Sequence, residues 1–185
     1  WGRARRCIPE ILEDRSNGLT ELTREIIADL FEFMLQLDAR IKAFDRRIDQ
    51  VFRANPDCQR IAQICGVGSK TATAVVAAVG DGKEFKNGRH MAAWMGLVPR
   101  QHSSGDKRLL MGISKRGDKH LRTLLIHGAR SVVRVSQGRT DAFSRWVNAI
   151  RERRGMNRAI VAVANKNARI IWAMLRRDED FRAHA

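Results

Sequence analysis

The 185 residues contain no tyrosine, three prolines and three cysteines, and the aromatic fraction is only 6%. Without tyrosine, no reaction through a tyrosyl nucleophile is open to the chain, which excludes tyrosine recombinases and tyrosine-dependent nicking enzymes. Cys7, Cys58 and Cys65 form no C-x-x-C pair. An odd number without metal-type spacing argues against a disulfide framework and a zinc site, and points to a reducing, cytoplasmic compartment. No stretch approaches the roughly 20 uninterrupted apolar residues that a membrane span needs. The opening Trp1-Gly2-Arg3-Ala4-Arg5-Arg6 lacks an initiating Met and an apolar signal-peptide region, and is expected to be the cut end of a longer protein. Acidic residues are few against basic ones, 20 against 35, giving a net charge of +15 and a pI near 11.2. That excess implies a polyanionic partner. With 44% hydrophobic residues the chain is still globular, which excludes a disordered basic tail or a collagen-like fibre.

From Ile27 the apolar residues Leu30, Met34, Leu37, Ile41, Phe44, Ile48 and Val51 recur at alternating spacings of three and four, a heptad seam flanked by mixed charges. The spacing predicts one long helix from about Leu19 to Phe52, ended by Asn55-Pro56-Asp57. The seam fits either an intramolecular helical hairpin or a dimerising coiled coil. Beyond Pro56 short helices alternate with glycines. Cys58 to Ile64 reads as a turn or two of helix, Cys65-Gly66-Val67-Gly68 as a tight loop, and Ser69 as the cap of a helix reaching Gly80, a helix-hairpin-helix pattern. Residues 90–95 are expected to form a short helix, and the segment from Pro99 to Gly117 a loop or small hairpin. Three further helices are expected: one capped by Asp118, one capped by Thr140 and ending near Gly155, and one from Ala159 to Leu175.

Two groups of residues carry chemistry. Gly66 and Gly68 allow close approach to a ligand, and the following helix start, with Lys70 beside it, suits a phosphate. The plainer reading is a helix-helix turn that needs small residues. In the second group, Ser103 and Ser104 lie in a loop bounded by Gly96 and Gly105, with Arg100, Lys107, Arg108, Lys115, Arg116, Lys119 and Arg122 around it. A serine can attack phosphorus when something takes its proton and cations stabilise the phosphoryl oxygens. Ser-Ser-Gly is also ordinary turn chemistry. His102 is a candidate proton acceptor and equally a surface residue. His120 and His127, two turns apart, are too far separated for one metal. Trp94, Trp146 and Trp172 fit core positions better than base-stacking ones, while Arg151, Arg153, Arg154, Arg158 and Lys166 around Gly155 fit contacts to a nucleic-acid backbone. No metal site is expected here, and the consecutive Asp178-Glu179-Asp180 reads as a solvated helix end.

The runs Ile64-Cys65-Gly66-Val67-Gly68, Trp94-Met95-Gly96-Leu97-Val98-Pro99 through Ser103-Ser104-Gly105, and Gly112-Ile113-Ser114-Lys115-Arg116-Gly117-Asp118 closely resemble the C-terminal half of the one-ten/eleven-eleven insertion-sequence transposases. The resemblance covers nearly the whole chain. It implies an RNA-guided DNA recombinase in a prokaryotic cytoplasm, associated with the nucleoid. In that family an N-terminal RuvC-like domain with four acidic residues binds Mg²⁺, and a C-terminal transposase domain supplies a serine nucleophile. The matching residue is Ser104, with Ser103 as the competitor. The acidic domain is absent from these residues, so no cofactor is expected in this fragment, Mg²⁺ is expected in the full-length protein, and the fragment alone is expected not to cleave DNA.

The expectation is a mainly α protein. Residues 1–18 are a linker from a missing N-terminal domain, 19–55 a coiled-coil arm, 57–177 a serine-bearing domain with the helix-hairpin-helix, and 178–185 a tail. Its partners are DNA, a guide RNA and further copies of itself through the arm, in a dimer or tetramer, with no membrane. A non-enzymatic nucleic-acid-binding and dimerisation module is the alternative.

Overall fold

Asn55-Pro56 is a helix boundary: the Asn55 side chain accepts from the Cys58 backbone N–H at 3.1 Å, capping a helix whose first residue is Pro56. The computed structural model describes residues 1–104 and 107–181, with backbone alone over 102–110. The chain forms two units, 1–47 and 48–185.

In the first unit, helix α1 (Gly2–Glu13) precedes α2 (Glu21–Ala54), which continues into the second unit. Residues expected as a linker are thus largely helical, and the long helix starts and ends two residues later than expected. Helix α1 has no buried residue of its own. What fixes its end is Arg24, 6% exposed, whose guanidinium donates to the carbonyls of Leu12 at 2.8 Å and Asp14 at 2.7 Å and to Asn17 Oδ1 at 2.7 Å. These carbonyls are the ones a helix terminus leaves unpaired. Asp38 sits between Arg5 at 3.3 Å and Lys42 at 3.1 Å. The heptad seam is not consumed by this packing: Leu30, Leu37, Ile41 and Phe44 are 58, 42, 57 and 54% exposed.

The second unit continues with α3 (Pro56–Ile61), α4 (Ser69–Val79), α5 (Gly88–Trp94), β1 (Pro99–Ser104), β2 (Lys107–Ile113), α6 (Lys119–Val135), α7 (Ala142–Arg154) and α8 (Met156–Arg177). The fold is mainly α, and the serine segment is an antiparallel two-stranded ribbon. Helix α8 is central, contacting α3, α5, α6 and α7. Its Ala159, Ile160, Val163, Ala164, Ala168 and Ile171 are buried, an apolar stripe at helical spacing. Each buried Val or Ile contributes about 1.5–3 kcal/mol of transfer free energy, which favours turning this stripe of α8 inward against its neighbours.

Caps set the boundaries. Asp118 Oδ1 accepts from Leu121 N at 2.7 Å, as expected. The start of α7 differs: Asp141, not Thr140, accepts from Ser144 N at 2.9 Å. A carboxylate at this position satisfies the orphan donor and complements the dipole, which a threonine does less well. The start of α4 differs too, since Gly68 is the N-cap and makes no side-chain cap hydrogen bond, while Ser69 is already helical.

Candidate nucleic-acid interface

Strand register decides what faces what at the serines. Ser104 pairs with Lys107, Ser103 with Arg108 and His102 with Leu109. Because residues alternate faces along a strand, the positions of His102, Ser104 and Lys107 share one face of the ribbon and those of Ser103 and Arg108 the other. Gly105 and Asp106, and the side chains of Ser103, Ser104, Lys107 and Arg108, lie outside what is described. Two steps on β1, Pro99 to Gln101, answer three on β2, Ile113 to Leu110, so a bulge falls at Met111–Gly112. Among the described residues no helix packs along either strand.

The base of the ribbon is held by backbone. Ser114 N donates to Val98 O at 2.8 Å and Lys115 N to Gly96 O at 3.2 Å. Gly96 and Gly117 have φ of +71° and +105°, and a Cβ at Gly117 would collide with the Trp94 carbonyl oxygen. This crossing explains why glycines bracket the serine segment. Arg122, expected to meet nucleic acid, is half-buried and donates to the carbonyls of Met95 at 3.1 Å and Asp118 at 3.4 Å. It ties the end of α5 to the start of α6.

The glycine loop separates likewise. Gly66 has φ +86°, and a Cβ there would lie 2.8 Å from Val132 Cγ2 and 2.9 Å from the Gly128 carbonyl, so this glycine is required by packing on α6. Gly68 has open space around it. At the first turn of α4, Ser69 Oγ donates to Asp49 Oδ1 at 2.9 Å, so that hydroxyl is engaged within the protein. Lys70, Arg100, Lys115, Arg116 and Lys119 are exposed. His120 and His127 are exposed on α6. Trp146 and Trp172 are half-buried as expected, but Trp94 is 37% exposed, with its ring against Phe85.

Beside the ribbon base opens a cleft of about 1470 Å³. Of the residues that border it, Arg154, Arg158 and Lys166 are visible in the sequence as a basic run, but Arg89 and Arg169 are not. The available signal was the α8 stripe Arg158, Asn165, Lys166 and Arg169, polar residues on the side opposite the buried apolar positions. Elsewhere, burial pushes the Cys58 thiol above its ordinary pKa, which makes it an inert core residue. Among the described residues no group of three or more His, Cys, Asp and Glu converges to hold a metal ion, and no helix is long and apolar enough to cross a membrane.

Residues 58–145 match the transposase IS116/IS110/IS902 family. A transposase for insertion sequence element IS1111A from Coxiella burnetii is 50% identical over 178 residues, covering 96% of this chain and 49% of that protein. A probable family 20 transposase from Pseudomonas aeruginosa is 49% identical, covering 85% of this chain and 47% of that protein. A pilin gene-inverting protein from Moraxella bovis is 33% identical over 149 residues, 76% of this chain and 45% of that protein. The chain therefore spans about half the length of the curated relatives it matches. The glycine-bracketed ribbon, the Gly66 loop that packs on α6 and the Asp118-capped helix all fall within residues 58–145, and on that match this chain belongs to the IS116/IS110/IS902 transposase family.

Proposed function

We propose that this chain is the C-terminal, serine-bearing half of an insertion-sequence transposase that rearranges DNA under the guidance of an RNA. The observation that carries the reading is half identity over nearly the whole chain to a protein named as an insertion-sequence transposase. A relative named for inverting a pilin gene fits the same chemistry, since inversion is an exchange of DNA strands.

Ser104 is the nucleophile. Its Oγ attacks a DNA phosphorus, the bond from phosphorus to a deoxyribose oxygen breaks, and that oxygen leaves with a proton. The product is a phosphoserine ester that keeps the bond energy for rejoining, so no external energy source is needed. The register supports Ser104 over Ser103, because Lys107 and His102 share its face of the ribbon. Lys107 suits the charge on the phosphoryl oxygens, and His102 suits the serine proton. The Mg²⁺-binding carboxylates belong to an acidic domain outside this chain. The exposed seam of α2 brings a second copy alongside.

The test is made in the complete transposase. Ser104→Ala should abolish the covalent DNA adduct and lower strand exchange by on the order of 10⁴-fold or more, while Ser103→Ala should retain both. The reverse pattern assigns the nucleophile to Ser103. Retention of the adduct in both variants removes the serine mechanism.

A further inference from the structure

The cleft beside the ribbon is cationic without compensation. Arg89, Arg154, Arg158, Lys166 and Arg169 border it, and its described lining contains no Asp or Glu. None of the five forms an ion pair among the described residues. Such a cluster of like charges is unfavourable for folding and gains its compensation only from an anion supplied in trans. Two packing features assemble it. A Cβ at Gly88 would lie 3.0 Å from Arg169 Cα, so glycine lets α5 seat directly on α8 and brings Arg89 to the same cleft as Arg169. Lys166 Nζ stands 4.3 Å from the centre of the Trp146 ring, which fixes that ammonium by a cation–π contact.

The floor is apolar and aromatic. Val161, Ala162, Ile170 and Ala173 line it together with Trp172, whose Nε1 donates to the carbonyls of Gly82 and Phe85 at 3.2 Å each and holds the indole in place. Cations along a groove with a fixed aromatic surface are what an unpaired nucleic-acid strand requires, phosphates on one and bases or sugars on the other. The reach is suitable. Arg158 and Arg169 are eleven residues apart on one helix, about 16 Å, the rise of about five stacked nucleotides. At one end the cleft is bordered by Pro99, Met111, Gly112 and Ile113, the base of the ribbon that carries Ser104.

We propose that this cleft holds an unpaired DNA strand and leads it to the serine ribbon. The inference rests on the proposed reaction at Ser104 only for the strand's destination; the binding itself is independent of it. The test is fluorescence anisotropy of this chain with short labelled oligonucleotides of one sequence, as single-stranded DNA, duplex DNA and RNA, over a range of salt. Arg158→Gln with Arg169→Gln should weaken single-stranded DNA binding by more than about tenfold and lower the slope of log K against log salt by about 1.4, without changing Tm. Arg134→Gln with Arg139→Gln removes the same charge from exposed positions outside the cleft and should change binding far less. Equal losses in the two pairs would reduce the effect to net charge and overturn the site. A larger loss for duplex DNA or for RNA than for the single strand overturns the proposed occupant. Binding is measured without strand exchange, so failure of the adduct experiment and failure of the cleft are read separately.

Discussion

At the scale of single residues, the glycines divide by what a methyl group would meet. Gly128 stands so close to the Gly66 carbonyl that a Cβ has no room, and the clash is with backbone, which cannot swing away. Gly128→Ala should therefore destabilise the second unit by at least about 2 kcal/mol, measured by urea unfolding. Gly68 has φ −92° and nothing within 4 Å, so Gly68→Ala should cost no more than about 1 kcal/mol. A loss of nucleic-acid affinity in that variant at unchanged stability would place the loop in the interface. Asp141 gives a pH test. The hydrogen bonds from Ser144 hold its exposed carboxyl below the usual range. A depressed folded pKa means that the contribution to stability is full above the unfolded value of about 3.9 and is lost as pH falls through the folded one. Protection of the Ser144 amide should fall over that acidic window, and Asp141→Asn, which keeps an acceptor without a charge, should flatten the dependence.

Among the elements, α1 and α2 show how a helix with no buried residue is kept in place. Four acceptors converge on one arginine, so Arg24→Met leaves the last carbonyls of α1 without their donor. Such a loss costs about 1–3 kcal/mol, and amide exchange in residues 5–13 should quicken while that of α4 and α8 is unchanged. The heptad seam was legible in the sequence as a period, and the structure leaves it 42 to 58% exposed at Leu30, Leu37, Ile41 and Phe44. Leu37→Glu with Ile41→Glu should therefore separate copies joined through the arm, seen as a fall in sedimentation mass with helicity retained. A mass unaffected by the double substitution would exclude the seam as the contact.

For the whole molecule, charge is distributed by unit of sequence. Residues 1–57 carry 10 Lys+Arg against 11 Asp+Glu, and residues 58–185 carry 25 against 9. The arm is nearly neutral, as a contact between protein chains is, and the excess of positive charge lies on the serine-bearing portion. If six or more phosphates are neutralised there, binding should fall by about 10³-fold or more between roughly 50 and 200 mM salt. A flat response would place the charge outside recognition altogether.

What the sequence determined by itself is whatever depends on near neighbours along the chain. The long helix, the Pro56 break, the Asp118 cap and the glycine-bracketed serine segment follow from periodicity, cap chemistry and turn residues, each acting over a few positions. The absence of tyrosine likewise needed no structure to exclude a tyrosyl nucleophile. Local rules also misjudge some positions: threonine and aspartate both cap helices, and only the backbone path makes Asp141 rather than Thr140 the residue that reaches an N–H. Tertiary structure alone decided what several of the basic and small residues contact. Gly66 meets Gly128 across 62 positions of chain and is a packing residue; Arg122 turns inward to carbonyls; Arg89 and Arg169, 80 positions apart, border one cleft. A charge or a glycine carries the same signal in sequence whether it faces solvent, a neighbouring helix or an empty groove, because that signal is the residue's chemistry and the difference is which long-range neighbours the fold sets against it.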